Sequence, residues 1–244
     1  MDSFWKLTRT EARLLVRDPM AFGLALLLPT VLLLGLGAVP ALREPSEEFG
    51  GERFIDYFAP SVVVMVVAIV GLTSLPAILA TYRERGMLRR MRTTPVHPSK
   101  LLGAQLTVSL ATTVVSVAVV IAVGRLAYGV PLPQHPLGFA VAFILGIGAV
   151  FAIGLLIAAV APNNRVATGL ATVVFMVVMF FGGVYVPRFF MPEAIVRIGE
   201  YTPPGIDSLL EAWNGTAPAV GPLLVMGGMA LVVGAVSAKV FKWE

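Results

Sequence analysis

At 244 residues, 57% hydrophobic and 13% charged, the chain carries about half the charge of an ordinary soluble domain, so it reads as one membrane domain with no room for a sizeable soluble one. The absence of cysteine excludes disulfides, thiolate metal sites and cysteine nucleophiles, and the mean hydropathy of +0.88 agrees with a lipid-facing chain. The net charge of +4 is not read as a nucleic-acid footprint, because the positive residues follow a membrane pattern instead.

The first segment, 1–19, is an expected interfacial helix. Lys6, Arg9, Arg13 and Arg17 recur at three- and four-residue steps and stack on one helix face. Phe4, Leu7, Leu14 and Leu15 fall roughly opposite, so the helix should lie in the plane of the membrane surface, its basic side toward anionic headgroups or a partner. Glu11 falls near the apolar side and breaks the pattern. It is read as a snorkelling surface glutamate, the alternative being a pairing with a basic residue of the loop described below. Asp18-Pro19 ends this helix.

Six charge-poor stretches then predict an all-α fold of six membrane spans, at 20–42, 57–82, 101–124, 137–161, 166–186 and 218–238. The first is read as a retained span, since the patterned region ahead of it is too long for a signal peptide. Pro29 and Pro76 fall inside two spans and are expected to kink them. Gly146, Gly148 and Gly154 in the fourth span are expected at helix contacts, and Gly182-Gly183 in the fifth permit a bend or a close backbone approach. The segment 187–217 is too polar to span. Its prolines punctuate two short helices, at 193–201 and 205–213, in a folded outer cap at headgroup depth.

With the amino end placed in the cytoplasm, thirteen of the 18 Lys and Arg residues lie inside. Only Arg43, Arg53, Arg125, Arg188 and Arg197 lie outside, so both termini are expected to be cytoplasmic. The densest positive charge is the loop 83–99 between the second and third spans. Glu84 through Arg92 are expected to form a helix in which Met87, Leu88 and Met91 make an apolar ridge. Arg85, Arg89 and Arg92 form a charged flank beside it. A ridge rimmed by arginine suits a groove on an acidic partner, and composition alone allows a plain topological anchor as well. Pro95 and Pro98 are expected to stop this helix.

Three stretches carry a resemblance. They are Arg17-Asp18-Pro19 at the entry to the first span, the loop Arg83-Glu84-Arg85-Gly86-Met87-Leu88-Arg89-Arg90-Met91-Arg92-Thr93-Thr94-Pro95 followed by Leu101-Leu102-Gly103, and Phe181-Gly182-Gly183-Val184-Tyr185-Val186-Pro187 with Tyr201-Thr202-Pro203-Pro204. Together they resemble the membrane subunit of a type-2 ABC exporter, the family that includes the bacterial daunorubicin-resistance permeases. Met87 stands where the family usually has a small hydroxyl residue, Arg89 where Glu is frequent, and Gln105 where Lys is common.

The resemblance implies a dimer, with an identical or a related chain, bound to two ATP-binding subunits in the cytoplasm. The short helix at Glu84, Arg85, Met87, Leu88, Arg89, Arg90, Met91 and Arg92 would seat in the ATPase, and the helix bearing Lys6, Arg9, Arg13 and Arg17 would flank it. This chain has no G-x-x-x-x-G-K-[ST] sequence, so no cofactor is expected on it; ATP and Mg would belong to the partner. The implied location is a bacterial plasma membrane, in contact with lipids. The implied pathway lies at the dimer axis, where Phe175, Met176, Met179 and Phe180 of the fifth span offer a flexible apolar surface for a drug-like or lipid cargo.

No Asp, Glu, Lys or Arg lies within the predicted spans, which disfavours proton-coupled transport, and no catalytic motif supports a membrane enzyme. The resemblance implies that the chain acts in efflux, as in multidrug resistance. A permease for a lipid-linked polysaccharide and a non-transporting scaffold partner are the alternatives.

Overall fold

The computed structural model describes residues 3–19, 23–49, 51–87 and 98–241. The principal elements are helical: α1 (Ser3–Arg17), α2 (Gly23–Gly37), α3 (Phe54–Glu84), α4 (Pro98–Tyr128), α5 (Pro136–Val160), α6 (Asn164–Phe181), α7 (Glu193–Glu200), α8 (Ile206–Trp213) and α9 (Val220–Val240). Five of them, α3, α4, α5, α6 and α9, are long and apolar enough to cross a membrane. The first predicted span appears as the shorter apolar helix α2, followed by a 3-10 turn at Pro40–Leu42. Its opening residues, 20–22, lie outside the described set. The chain is an all-α, multi-pass membrane protein.

The centre of the bundle is α3. Every residue from 58 to 72 is buried, as a helix that is apolar on all sides requires. Its neighbours wrap it: α4 on one side, α5 and α6 on another, α8 at the far end. Its window is 78% buried, against 22% for α6 and 17% for α9, which lie at the margin of this chain.

Pro76 does not simply kink α3. The six residues before Leu75, Ile69–Ser74, form a π-helical segment, in which the Leu75 amide reaches the Val70 carbonyl. Proline lacks an amide and pushes on the carbonyl four residues earlier, and one wide turn ahead of it relieves both problems. The Thr73 hydroxyl donates to the Ile69 carbonyl within the same stretch. Pro29 sits in the same relation to the π-helical segment Gly23–Leu27.

The wide turn in α3 also sets the packing. It turns the Gly71 carbonyl against α5, where a Cβ on Gly154 would collide with it. A Cβ on Gly71 would in turn lie 2.7 Å from Val150 Cγ1. Gly148 faces Ala230 of α9, whereas Gly146 meets the Pro204 backbone of the cap rather than another span.

The fifth span stops sooner than the hydropathy suggests. α6 ends at Phe181, the Gly182 amide bonds back to Val178 O at 2.7 Å, and Gly183 takes φ +70. That left-handed turn is open to glycine at little cost, and a Cβ there would lie 2.9 Å from the Tyr57 hydroxyl. The Gly182-Gly183 pair therefore ends the helix and admits Tyr57 instead of bending the span. Beyond it the two predicted cap helices are present, as α7 and α8.

Candidate functional site at the root of the basic loop

α1 packs along the start of α4. Its inward residues include Phe4 and Leu7, and a Cβ on Gly103 would lie 3.4 Å from the Phe4 ring. Lys100 Nζ donates to Ser3 Oγ at 2.9 Å, closing the start of the pair. Lys6, Arg9, Arg13 and Arg17 are all exposed, on the side away from this packing. Leu14, placed on the apolar side by the sequence pattern, is 51% exposed, so the inward face is rotated toward Phe4, Leu7 and Glu11.

Glu11 corrects the expectation most clearly. It is 6% exposed, so it neither snorkels nor pairs with a described arginine of the loop. Tyr82 Oη donates to Glu11 Oε2 at 2.5 Å. Burial pushes the Glu11 carboxyl above the usual carboxylate range, and the Tyr82 hydrogen bond pulls the other way. The signal that could have found this contact was the anomaly itself, an acid on the packed face of a short helix, which needs a donor.

The next two residues of α3 reach elsewhere. The Arg83 guanidinium donates to the Ala161 carbonyl and, at 3.4 Å, to the Ala159 carbonyl, both at the carboxyl end of α5. Glu84 Oε1 accepts from the Asn164 amide at 2.6 Å, at the amino end of α6, where Asn163 Oδ1 also accepts from the Val166 amide at 2.9 Å. Each charge thus meets the pole of a helix that attracts it, the cation at exposed carbonyls and the anion at exposed amides.

The helix of the basic loop was expected to begin at Glu84. Instead Glu84 belongs to the last turn of α3, the Arg85 amide bonds to Thr81 O at 3.0 Å, and Gly86 turns the chain away with φ +63. Arg85 and Met87 are exposed. Leu88, Arg89, Arg90, Met91 and Arg92 lie outside the described residues, as does Pro95. Pro98 opens α4, a favoured place for proline at a helix start.

The four residues considered for a pathway do not share one surface. Met176 is 56% exposed, Phe175 and Phe180 are half-buried, and Met179 is 1% exposed, inside the core of this chain.

The opposite end of the bundle has a polar node that the sequence reading passed over. Arg188 is 6% exposed and donates to the Phe181 and Val196 carbonyls, each at 3.1 Å. Its Nη2 lies 2.7 Å from Asp207 Oδ2, and its amide donates to the Tyr57 hydroxyl at 2.8 Å. Burial pushes the Asp207 carboxyl up to about 6; Arg188 pulls it down, while Glu200 and Glu211 add to the rise. Glu200, Asp207 and Glu211 border a shallow depression near Tyr201 and Pro222. Among the described residues no group of His, Cys, Asp and Glu could hold a metal ion.

No curated protein matches the chain. The model of one family, described as ABC-2 type transporter, matches residues 2–204, from α1 through the basic loop to the first part of the cap. The match covers most of the length, and with the spans and the loop root in place the chain belongs to the ABC-2 type transporter family, as a membrane permease subunit.

Proposed function

We propose that this chain is the permease half of an ATP-driven exporter, moving a hydrophobic or amphiphilic molecule out of the cytoplasm. Two permease chains, identical or related, would form the pathway, and a separate ABC ATPase would supply ATP and Mg. The observation that carries this reading is the family match spanning α1 and the basic loop in a chain without a phosphate-cradling motif.

The basic loop is the docking element in this reading. Arg85 and Met87 are exposed at its start, and Arg89, Arg90 and Arg92 add the charge a groove on an acidic partner would select. The exposed face of α1, with Lys6, Arg9, Arg13 and Arg17, belongs to a helix held at the root of this loop and would contact the same partner or anionic headgroups. The positive-inside bias puts both on the cytoplasmic side. Within α6, Met176 with Phe175 and Phe180 would face the cargo. Met179, buried within this chain, would lie behind that face.

The test is a double substitution, Arg89→Glu with Arg90→Glu, in the complex co-expressed with its ATPase. Three quantities are measured: co-purification of the ATPase, ATP turnover, and uptake of a lipophilic fluorescent dye by inside-out vesicles. Loss of all three is expected. Unchanged dye uptake with an intact complex would overturn the docking assignment, and a native chain that never recruits an ATPase would overturn the function.

A further inference from the structure

The geometry points to Tyr82-Arg83-Glu84 as a mechanical hub that carries motion of the basic loop into three elements at once. Successive residues of an α-helix point about 100° apart, so three in a row at a helix end fan across more than half its circumference. Here each one is engaged by a different element. Tyr82 donates to buried Glu11 of α1, Arg83 holds the carbonyl end of α5, and Glu84 holds the amino end of α6. The three contacts are separated in sequence by 71, 78 and 80 residues, so none is a by-product of local folding.

The hub's position matters as much as its contacts. Two residues after Glu84 the chain turns away at Gly86, whose φ of +63 ends α3. On its α3 side, displacement of the loop therefore acts first on the last turn of that helix. From there it can reach α5 and α6 without passing through the bundle, because Arg83 and Glu84 grip the two sides of the short turn around Pro162. The two charges are not interchangeable: an acid placed at the α5 carbonyls, or a cation at the α6 amides, would meet a pole of its own sign. Arg83 and Glu84 are positioning residues in this scheme, and neither needs to touch the ATPase or the cargo. The inference rests on the proposed transport function for its purpose, but its geometry can be tested without it.

The chain has no cysteine, so spin labels can be placed at will. Labels at Val16→Cys and Arg165→Cys, both exposed and neither assigned to the docking surface, report the distance from α1 to α6. Labelled chain is diluted with unlabelled chain in lipid nanodiscs so that distances within one chain are read. With the native hub, one narrow distance is expected, the same in the permease alone, in the nucleotide-free complex and in the complex trapped with ATP and vanadate. R83Q with E84Q should broaden that distance in the permease alone, and in the complex make it depend on nucleotide. ATP hydrolysis should continue while dye transport falls. The conservative pair R83K with E84D should restore both the narrow distance and transport, which separates positioning from failure to fold. A narrow distance in R83Q with E84Q, or a native distance that changes on trapping, would overturn the hub. Failure to bind any ATPase would count against the function alone, because the comparison within the permease still decides the hub.

Discussion

The two ends of the bundle solve the same problem with opposite economies. At both, an arginine satisfies the free carbonyls of a long helix: Arg83 those of α5, Arg188 that of Phe181 at the end of α6. A third, Arg53, donates to Tyr128 O of α4 at 3.1 Å while pairing with Asp56. Arg188 is nearly sealed from solvent and has Asp207 beside it, and its bonds draw Phe181, Val196 and α8 together. Arg83 is only half-buried, and the acid next to it in sequence is committed to another helix. The cap end is a lock in which several contacts converge on one side chain. The loop end is a fork in which contacts diverge from three. Losing a lock should cost stability, and losing a fork should cost communication.

The largest expected effect follows from the lock. Arg188→Met keeps the bulk of the side chain but strands Asp207 and the Phe181 and Val196 carbonyls. Breaking a buried ion pair from one side typically costs about 3–5 kcal/mol. The lower end is expected here, because Asp207 is 22% exposed and can take up a proton. Thermal unfolding of the purified permease should show a clear drop in Tm. R83Q measured in the same way should lose far less; equal losses would erase the distinction between the two ends.

The second effect is a pH dependence of the lock. The folded chain holds the Asp207 proton up to about 6, whereas the unfolded chain releases it near 3.8. Between those values the folded state binds more protons, so this group's contribution to stability falls as pH rises from about 4 to 6 and is level above that. Asp207→Asn should flatten that slope in Tm measured from pH 4 to 7. An unchanged slope would assign the pH dependence to another group.

These contrasts also show what could be read ahead of the structure. Long charge-free runs announce α3, α4, α5, α6 and α9 because lipid tolerates few alternatives to a helix. The cap helices α7 and α8 were legible from Pro192, Pro203 and Pro204, whose missing amides confine helices to the intervals between them. Neither π-helical segment was legible: a proline announces a disturbance, but the packing of Gly71 on Gly154 decides its form. The polar contacts were hidden for a different reason. Arg83 looks like one more loop charge, and Arg188 like one of a few outer arginines, until folding brings Ala161 and Asp207 to them. Of the five arginines that the charge pattern assigns to the outside, Arg53, Arg188 and Arg197 have an acidic partner within 2.7 Å, so three of the exceptions to the bias are neutralised. Glu11 was the one visible clue, since an acid on a packed helix face requires a donor that composition cannot name.

Glu84 gives a smaller effect and a sharper one, because two roles make different forecasts. As a docking residue it should weaken ATPase binding when neutralised. As the acid on the α6 amino end it should leave binding intact and cost about 0.3–1 kcal/mol of stability. E84Q in the full complex is expected to follow the second course, with normal co-purification, a slight fall in Tm and reduced dye transport per ATP hydrolysed. Loss of co-purification would return Glu84 to the docking surface.

The smallest expected effect on stability is on α1, and it tests whether the fork's third prong is separable from its outer face. Arg13 is exposed on the side away from α4, so Arg13→Glu should change Tm by no more than about 0.5 kcal/mol equivalent. Glu11→Gln, only two residues away but on the buried face, replaces a charge-capable acceptor of the Tyr82 hydroxyl with a neutral amide. It should lower Tm measurably, and it should broaden the Val16-to-Arg165 label distance that the native hub keeps narrow. Reversing Arg13 should instead weaken co-sedimentation with anionic vesicles or association with the ATPase, since its charge faces outward. If both substitutions proved silent in Tm and in the label distance, α1 would be no more than an adhering surface helix. The fork would then have two prongs, and α1 would follow the bundle without taking part in its motion.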